Sequence, residues 1–163
     1  MEKKALIIID IQNDTPKNYK EVIDNINKSI DWAVDKKFQI IYIRHENLLE
    51  GAKLFRPNTN GSKLASDLKI VSKNIFTKHQ GSALTCEEFV NFINKNKIDE
   101  LYITGGDATI CVKSTCFNLR KKDYEVTVLS DCITSWSMKK IPEMIEYYKS
   151  KGCKIISLND LSK

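Results

Sequence analysis

Three residues of different chemistry follow three apolar segments of the 163-residue sequence. Asp10 ends the first β-branched run, Lys78 follows the third strand-like segment, and Cys111 comes soon after the fourth. These groups can carry out nucleophilic catalysis by a thiol: the sulfur attacks, the carboxylate exchanges its proton and the ammonium holds both in place. The sequence therefore predicts a catalytic trio of Asp10, Lys78 and Cys111.

Cys111 lies near the start of a predicted helix over 108–122. The positive end of a helix dipole and a nearby ammonium both favour a thiolate, so we expect the pKa of Cys111 below the ordinary value of ~8.5. The backbone N–H groups of Ala108 and Cys111 are expected to stabilise an oxyanion. The predicted reaction is acyl transfer to sulfur followed by hydrolysis.

Strand-like and helix-like segments alternate along the whole chain. The predicted strands are 5–9, 38–43, 74–77, 101–104, 125–129 and 154–157, and the predicted helices are 16–34, 86–97, 108–122 and 141–151. Such alternation implies parallel strands joined by right-handed crossovers. We predict an α/β fold that is three-layered and doubly wound, with a six-stranded, mostly parallel sheet in the order 3-2-1-4-5-6 and helices on both faces.

The strand order decides where function is sought. Ligands of such sheets bind beyond the carboxyl ends of the strands, where the strand order reverses. Strands one and four are neighbours at that point, so Asp10 and Cys111 are expected on either side of the crevice. The length fits one domain, and residues 1–163 are predicted to form it.

Charge and hydropathy limit the classes of partner. The 26 Lys plus Arg residues exceed the 21 Asp plus Glu by five, but basic pairs are scattered along the chain instead of forming one stripe. That distribution argues against a nucleic-acid partner. No run approaches the ~18 apolar residues of a membrane helix, and phosphate-binding glycine loops are absent from the sequence. We expect a cytoplasmic protein with a small-molecule substrate and no nucleic acid or membrane partner.

The five cysteines are interpreted in two groups. They are odd in number and include no C-x-x-C pair, which is typical of reduced thiols and not of disulfides or a zinc site. Cys86, Cys116, Cys132 and Cys153 are interpreted as core thiols, because cysteine is among the most buried residue types. Cys111 is the predicted nucleophile.

Three segments resemble the signature regions of the isochorismatase-like cysteine hydrolases: ALIIIDIQND at 5–14, FTKHQGSAL at 76–84 and ITGGDATICVKST at 103–115. A fourth segment, YEVTVLSDCITS at 124–135, resembles the next strand and loop of that family. The resemblance covers essentially the whole chain in matching order. It implies an Asp-Lys-Cys triad at Asp10, Lys78 and Cys111, assembly as a homodimer or homotetramer, and a non-proline cis peptide at Asp107–Ala108.

Departures from the family pattern narrow the expected chemistry. Nicotinamidase-type members carry a metal on an aspartate and a pair of histidines, whereas this chain has only His45 and His79, so we predict no metal and no cofactor. Asp107 and Ile110 stand where the family commonly has Val and Asp or Asn. Cys111 favours C–N bond hydrolysis, since isochorismate-cleaving members often lack the cysteine.

The resulting prediction is a hydrolase of a small amide or ureido-type C–N bond that works through a covalent thioester-type intermediate. Two alternatives stay open: an isochorismatase-type ether hydrolase, and a non-enzymatic member that binds a small molecule or a partner protein. The substrate and the roles of Arg44, His45, His79 and Trp136 also stay open. Arg44 ends the second strand and is a possible carboxylate ligand or a solvated arginine.

Overall fold

The computed structural model describes residues 3–161 as a six-stranded sheet flanked by helices. The strands are β1 Lys4–Ile9, β2 Gln39–His45, β3 Ile75–Lys78, β4 Glu100–Gly105, β5 Glu125–Ile133 and β6 Lys154–Ile156. All neighbouring strands are parallel, and their order is β3-β2-β1-β4-β5-β6. The predicted strand order and fold class are confirmed.

The helices lie on both faces of this sheet. They are α1 Lys17–Lys20, α2 Ile23–Asp35, α3 Glu87–Lys95, α4 Cys111–Lys121, α5 Ile141–Ser150 and α6 Leu158–Leu161. Short 3₁₀ turns occur at Asn60–Ser62, Ala83–Thr85 and Met138–Lys140. None of the helices in residues 3–161 is long and apolar enough to cross a membrane.

The central strand β1 is buried on both faces, which explains its uninterrupted apolar sequence. Side chains alternate across a strand, so Ile7 and Ile9 join the core beneath α3, α4 and α5. Leu6 and Ile8 join the opposite core, which α2 covers. The sheet therefore lies between two hydrophobic cores, one on each face.

The predicted first helix is interrupted, contrary to the single helix expected over 16–34. It forms α1 and then α2, and no side chain caps the N-terminus of α1. Pro16 occupies the N-cap position of α1, and the hydroxyl of the preceding Thr15 donates to the carbonyl of Gln12 at 2.5 Å.

Two other predicted boundaries differ by three residues or more because the connecting segments have their own hydrogen bonds. Helix α4 begins at Cys111, three residues after the predicted start. Strand β5 continues to Ile133 instead of ending at Leu129, since Ile133 still pairs with Gly105 of β4. The extension brings the segment after β5 alongside the residues that precede α4.

Candidate active site

The predicted trio lies at one edge of the sheet, at or after the carboxyl ends of three strands. Asp10 directly follows β1, and its N–H donates to the carbonyl of Ile43 at 2.9 Å. Lys78 is the last residue of β3 and pairs with His45 of β2. Cys111 is the first residue of α4, which follows β4. Strand β2 separates β1 from β3, and the long lysine side chain spans that distance.

Lys78 joins the three groups. Its Nζ donates to Asp10 Oδ2 at 3.0 Å and to Cys111 Sγ at 3.6 Å, and lies 3.2 Å from His45 Nδ1. An ammonium has three N–H groups, so these three partners use all of them. The Lys78 side chain is fully buried. The structure therefore brings the predicted trio into contact and adds His45 to it.

The charge state of the sulfur differs from the expected thiolate. Burial raises the pKa of Cys111 to about 12, and the nearby charge of Asp10 acts in the same direction, while the Lys78 charge opposes both. Burial also raises the pKa of Asp10, against the lowering effect of Lys78. The expected lowering of the Cys111 pKa is wrong, because loss of hydration outweighs the attraction of the ammonium. At neutral pH Cys111 is a thiol.

His45 is a neutral partner of the ammonium. Burial and, to a smaller extent, the Lys78 charge together lower the pKa of His45 to about 4. Its Nδ1 must then accept from Lys78, which leaves the proton on Nε2. A metal at this ring would compete with the Lys78 ammonium for Nδ1, so these residues do not fit a metal centre. Within residues 3–161, no group of three or more His, Cys, Asp or Glu side chains is arranged to hold one.

Only one of the two backbone N–H groups predicted to bind the oxyanion is available for it. The N–H of Ala108 donates to the carbonyl of Thr134 at 2.8 Å, so it cannot also bind an oxyanion. The prediction for Ala108 is therefore wrong, because the extended β5 brings Thr134 within hydrogen-bond distance. The N–H of Cys111 has no acceptor in the part of the chain that the structure describes, and it remains the backbone donor beside the sulfur.

The cis peptide lies one residue earlier than expected. It joins Gly106 to Asp107 and not Asp107 to Ala108. Glycine suits this position, because a Cβ on Gly106 would lie 2.5 Å from a ring carbon of Tyr19. The next peptide is held instead by the hydrogen bond from Ala108 to Thr134.

A cavity of about 160 Å³ opens onto Cys111. Its lining is formed by Asp10, Thr15, Pro16, Tyr19, His45, Phe55, Asp107, Ile110, Cys111 and Trp136. Trp136 is 65% exposed at the rim, and its ring meets the edge of Tyr19 with 6.5 Å between centroids. The cavity is thus small and mostly walled by aromatic and aliphatic side chains.

The four residues with open roles lie in three different places. His45 and Trp136 line the Cys111 cavity. His79 lies in a neighbouring cleft that also reaches Cys111. Arg44 is outside both, because its guanidinium binds Ser62, Thr77 and Glu46. Its carboxylate-binding interpretation is not supported.

Sequence reasoning missed two walls of this cavity, Tyr19 and Phe55. Tyr19 lies in α1, and Phe55 lies in the loop after β2. No spacing in the sequence marks them, since each reaches the cavity through contacts between distant parts of the chain. The sequence did contain a signal for Asp107, because a carboxylate stands there at a position where the family commonly has Val.

A family model described as "Isochorismatase domain" matches residues 4–160. An isochorismatase family protein of Bacillus subtilis is 28% identical, with 98% of this chain and 88% of the relative covered. Isochorismatase family protein 2A of Dictyostelium discoideum is 29% identical over 91% of this chain and 74% of that protein. A probable inactive nicotinamidase of Arabidopsis thaliana is 24% identical over 98% and 94%.

Solved structures share the fold at low identity. An isochorismatase family protein from Desulfovibrio vulgaris superposes with a TM-score of 0.89 at 19% identity, over 99% of this chain and 97% of the other. A cysteine hydrolase from Pseudomonas syringae gives 0.88 at 14% identity, over 98% and 90%. The zinc complex of a pyrazinamidase from Pyrococcus horikoshii gives 0.82 at 22% identity, over 95% and 99%.

Proposed function

The chain belongs to the isochorismatase family of hydrolases, and we propose that it is a cysteine hydrolase acting on a small amide or ureido C–N bond. One observation carries the proposal: the buried Lys78 ammonium contacts both the Asp10 carboxylate and the Cys111 sulfur. A ligand-binding pocket has no need for a base, a cation and a nucleophile in mutual contact. The cysteine hydrolase and the pyrazinamidase among the structural neighbours support the same class of reaction.

The first step starts from a neutral thiol. Because the pKa of Cys111 is about 12, the proton must leave the sulfur as it attacks the substrate carbonyl. Asp10 is the acceptor: its Oδ1 is buried without a hydrogen-bond partner in residues 3–161. Burial raises the pKa of Asp10 and makes it a stronger base than an exposed carboxylate.

The attack forms a C–S bond and moves the carbonyl electrons onto oxygen. The Cys111 N–H stabilises this oxyanion. When the tetrahedral species collapses, the C–N bond breaks, Asp10 gives its proton to the leaving nitrogen, and ammonia or an amine departs. The acyl group then remains on Cys111 as a thioester.

Water completes the cycle by the same route in reverse. It attacks the thioester carbonyl and gives one proton to Asp10, the C–S bond breaks, and Asp10 returns that proton to the sulfur. The sum is one amide and one water converted to one acid and one amine. Lys78 keeps Asp10 and Cys111 in place throughout and offsets the negative charge as it moves between them.

The test is a screen of the purified protein against small amides and ureido compounds, with ammonia or amine release as the readout. We expect turnover by the wild type and a loss of about a thousandfold or more in Cys111→Ala. Cys86→Ala is the matched control, since Cys86 is a buried thiol outside the cavity.

Neither alternative predicts release of ammonia or amine in this screen, because ether hydrolysis breaks a C–O bond and a binding protein breaks none. Equal turnover by Cys111→Ala would show that the thiol is not the nucleophile. No turnover and no acyl adduct on Cys111 by mass spectrometry would favour the non-enzymatic alternative. The Arabidopsis relative is itself named a probable inactive nicotinamidase.

The cytoplasmic location and the assembly as a homodimer or homotetramer stay predictions. All five described cysteines are unpaired, as in a reducing compartment.

A further inference from the structure

The carboxylate of Asp107 is held by five hydrogen bonds. Oδ1 accepts from the N–H and the hydroxyl of Thr109, both at 2.8 Å, and from the hydroxyl of Ser135 at 2.9 Å. Oδ2 accepts from the hydroxyl of Tyr19 at 2.9 Å and from the N–H of Trp136 at 2.8 Å. Thr109 lies in the same turn as Asp107, and the other donors come from two distant segments, so one carboxylate joins the turn before α4 to α1 and to the segment after β5.

These contacts keep Asp107 charged although it is buried. Burial acts to raise the pKa of Asp107, but the hydrogen bonds from Trp136, Thr109 and Tyr19 together lower it below the ordinary value. A carboxylate with its oxygens satisfied in this way has no need of a cation. It brings a fixed negative charge to the lining of the Cys111 cavity.

The cavity lining holds two carboxylates, Asp10 and Asp107, and no Lys or Arg among its described residues. The Lys78 ammonium balances only Asp10, to which it donates. His45 adds no charge at neutral pH, since its pKa is about 4. Arg44 is bound to groups outside this cavity. The formal charge facing a bound molecule is therefore negative.

We propose that Asp107 is a specificity-determining residue whose buried charge excludes anionic substrates from the Cys111 cavity and admits uncharged or cationic ones. The inference rests on the proposed function and names its substrate class. Asp107 and its partner Tyr19 are both buried, so the charge is screened less than on the surface. The Cys111 N–H at the positive end of α4 remains for the oxyanion that forms during attack. A dicarboxylate such as isochorismate is the substrate class that this cavity accommodates worst.

The experiment compares two alkylating reagents of similar size, neutral iodoacetamide and anionic iodoacetate. Their rates with Cys111 are measured at one pH and ionic strength by peptide mass spectrometry. The ratio of the iodoacetamide rate to the iodoacetate rate is then compared with the same ratio for N-acetylcysteine. Because both reagents need the same thiolate, the ratio is independent of the pKa of Cys111. We expect the wild-type ratio to exceed the N-acetylcysteine ratio by about tenfold, as a charge in a poorly screened cavity would produce.

Two variants separate charge from structure. Asp107→Asn removes the charge and keeps the shape, and we expect the ratio to fall by about tenfold towards that of N-acetylcysteine. Ser135→Ala removes one hydrogen bond to Asp107, lies outside the cavity lining and keeps the charge, so its ratio should match the wild type.

Three results would overturn the proposal: a wild-type ratio equal to that of N-acetylcysteine, an unchanged ratio in Asp107→Asn, or an equal fall in Ser135→Ala. The first comparison needs no variant and decides the matter even if Asp107→Asn does not fold. Alkylation also needs no turnover, so a failure of the proposed hydrolysis is distinguishable from a failure of this inference.

Discussion

Replacing Lys78 by methionine removes the cation that lies between Asp10 and Cys111. Lys78 Nζ and Asp10 Oδ2 are 3.0 Å apart, and the Lys78 side chain is fully buried. At that separation an effective dielectric constant of about 20 makes the attraction about 5.5 kcal/mol, and removing one partner of a buried pair typically costs about 3–5 kcal/mol. We expect Lys78→Met to lower the free energy of unfolding by about 4 kcal/mol at pH 8.

This loss depends on pH, because Asp10 can take up a proton. Burial raises the pKa of Asp10 and Lys78 opposes that rise, so the variant should raise the pKa further. A carboxyl whose pKa is higher in the folded state binds more protons when folded, and it destabilises the fold as pH rises. The difference between Lys78→Met and the wild type should therefore be smallest at acid pH, grow as pH passes the wild-type pKa of folded Asp10, and level off above that of the variant.

Urea unfolding followed by circular dichroism from pH 4 to pH 8 measures the effect. With a slope of about 2 kcal/mol/M, the midpoint should shift by about 2 M at pH 8. The double variant Asp10→Asn with Lys78→Met should regain most of the loss, because it leaves no buried charge without a partner. A pH-independent difference, or a double variant no more stable than Lys78→Met, would refute the reasoning.

Two further predictions concern the thiol and the backbone. Because the pKa of Cys111 is about 12, its iodoacetamide rate should rise steadily from pH 7 to pH 10; a plateau in that range would mean a thiolate at rest. Gly105→Ala should destabilise the fold by about 3 kcal/mol or more in thermal or urea unfolding, because φ is +109° and the new Cβ would lie 2.1 Å from the carbonyl oxygen of Ile9. Gly51→Ala should cost only about 1 kcal/mol, since φ is +79° but nothing lies within 4 Å, and equal losses in the two variants would contradict this account.

The fold and the position of the candidate site could be predicted from the order of elements. The apolar run of β1 has to be buried on both faces, and alternation with helices implies parallel strands. Residues that end parallel strands meet at one edge of the sheet. Local sequence patterns reveal the topology, and the topology brings Asp10, Lys78 and Cys111 together.

The details of the site depend on contacts between segments far apart in the chain. The N–H of Ala108 is used by Thr134 because β5 runs four residues further than its apolar pattern indicates. The cis peptide follows Gly106 at the point where the backbone meets the ring of Tyr19. Neither contact has a signal in the residues next to it.

The sequence by itself determined which groups occupy the candidate site: a carboxyl, an ammonium and a thiol at the ends of parallel strands. Only the tertiary structure decided their charge and surroundings. The pKa of Cys111 follows mainly from burial, and the negative charge of Asp107 persists through donors from three segments. Hydration and hydrogen bonding depend on what packs around a group in space, so these properties appear only once the chain has folded.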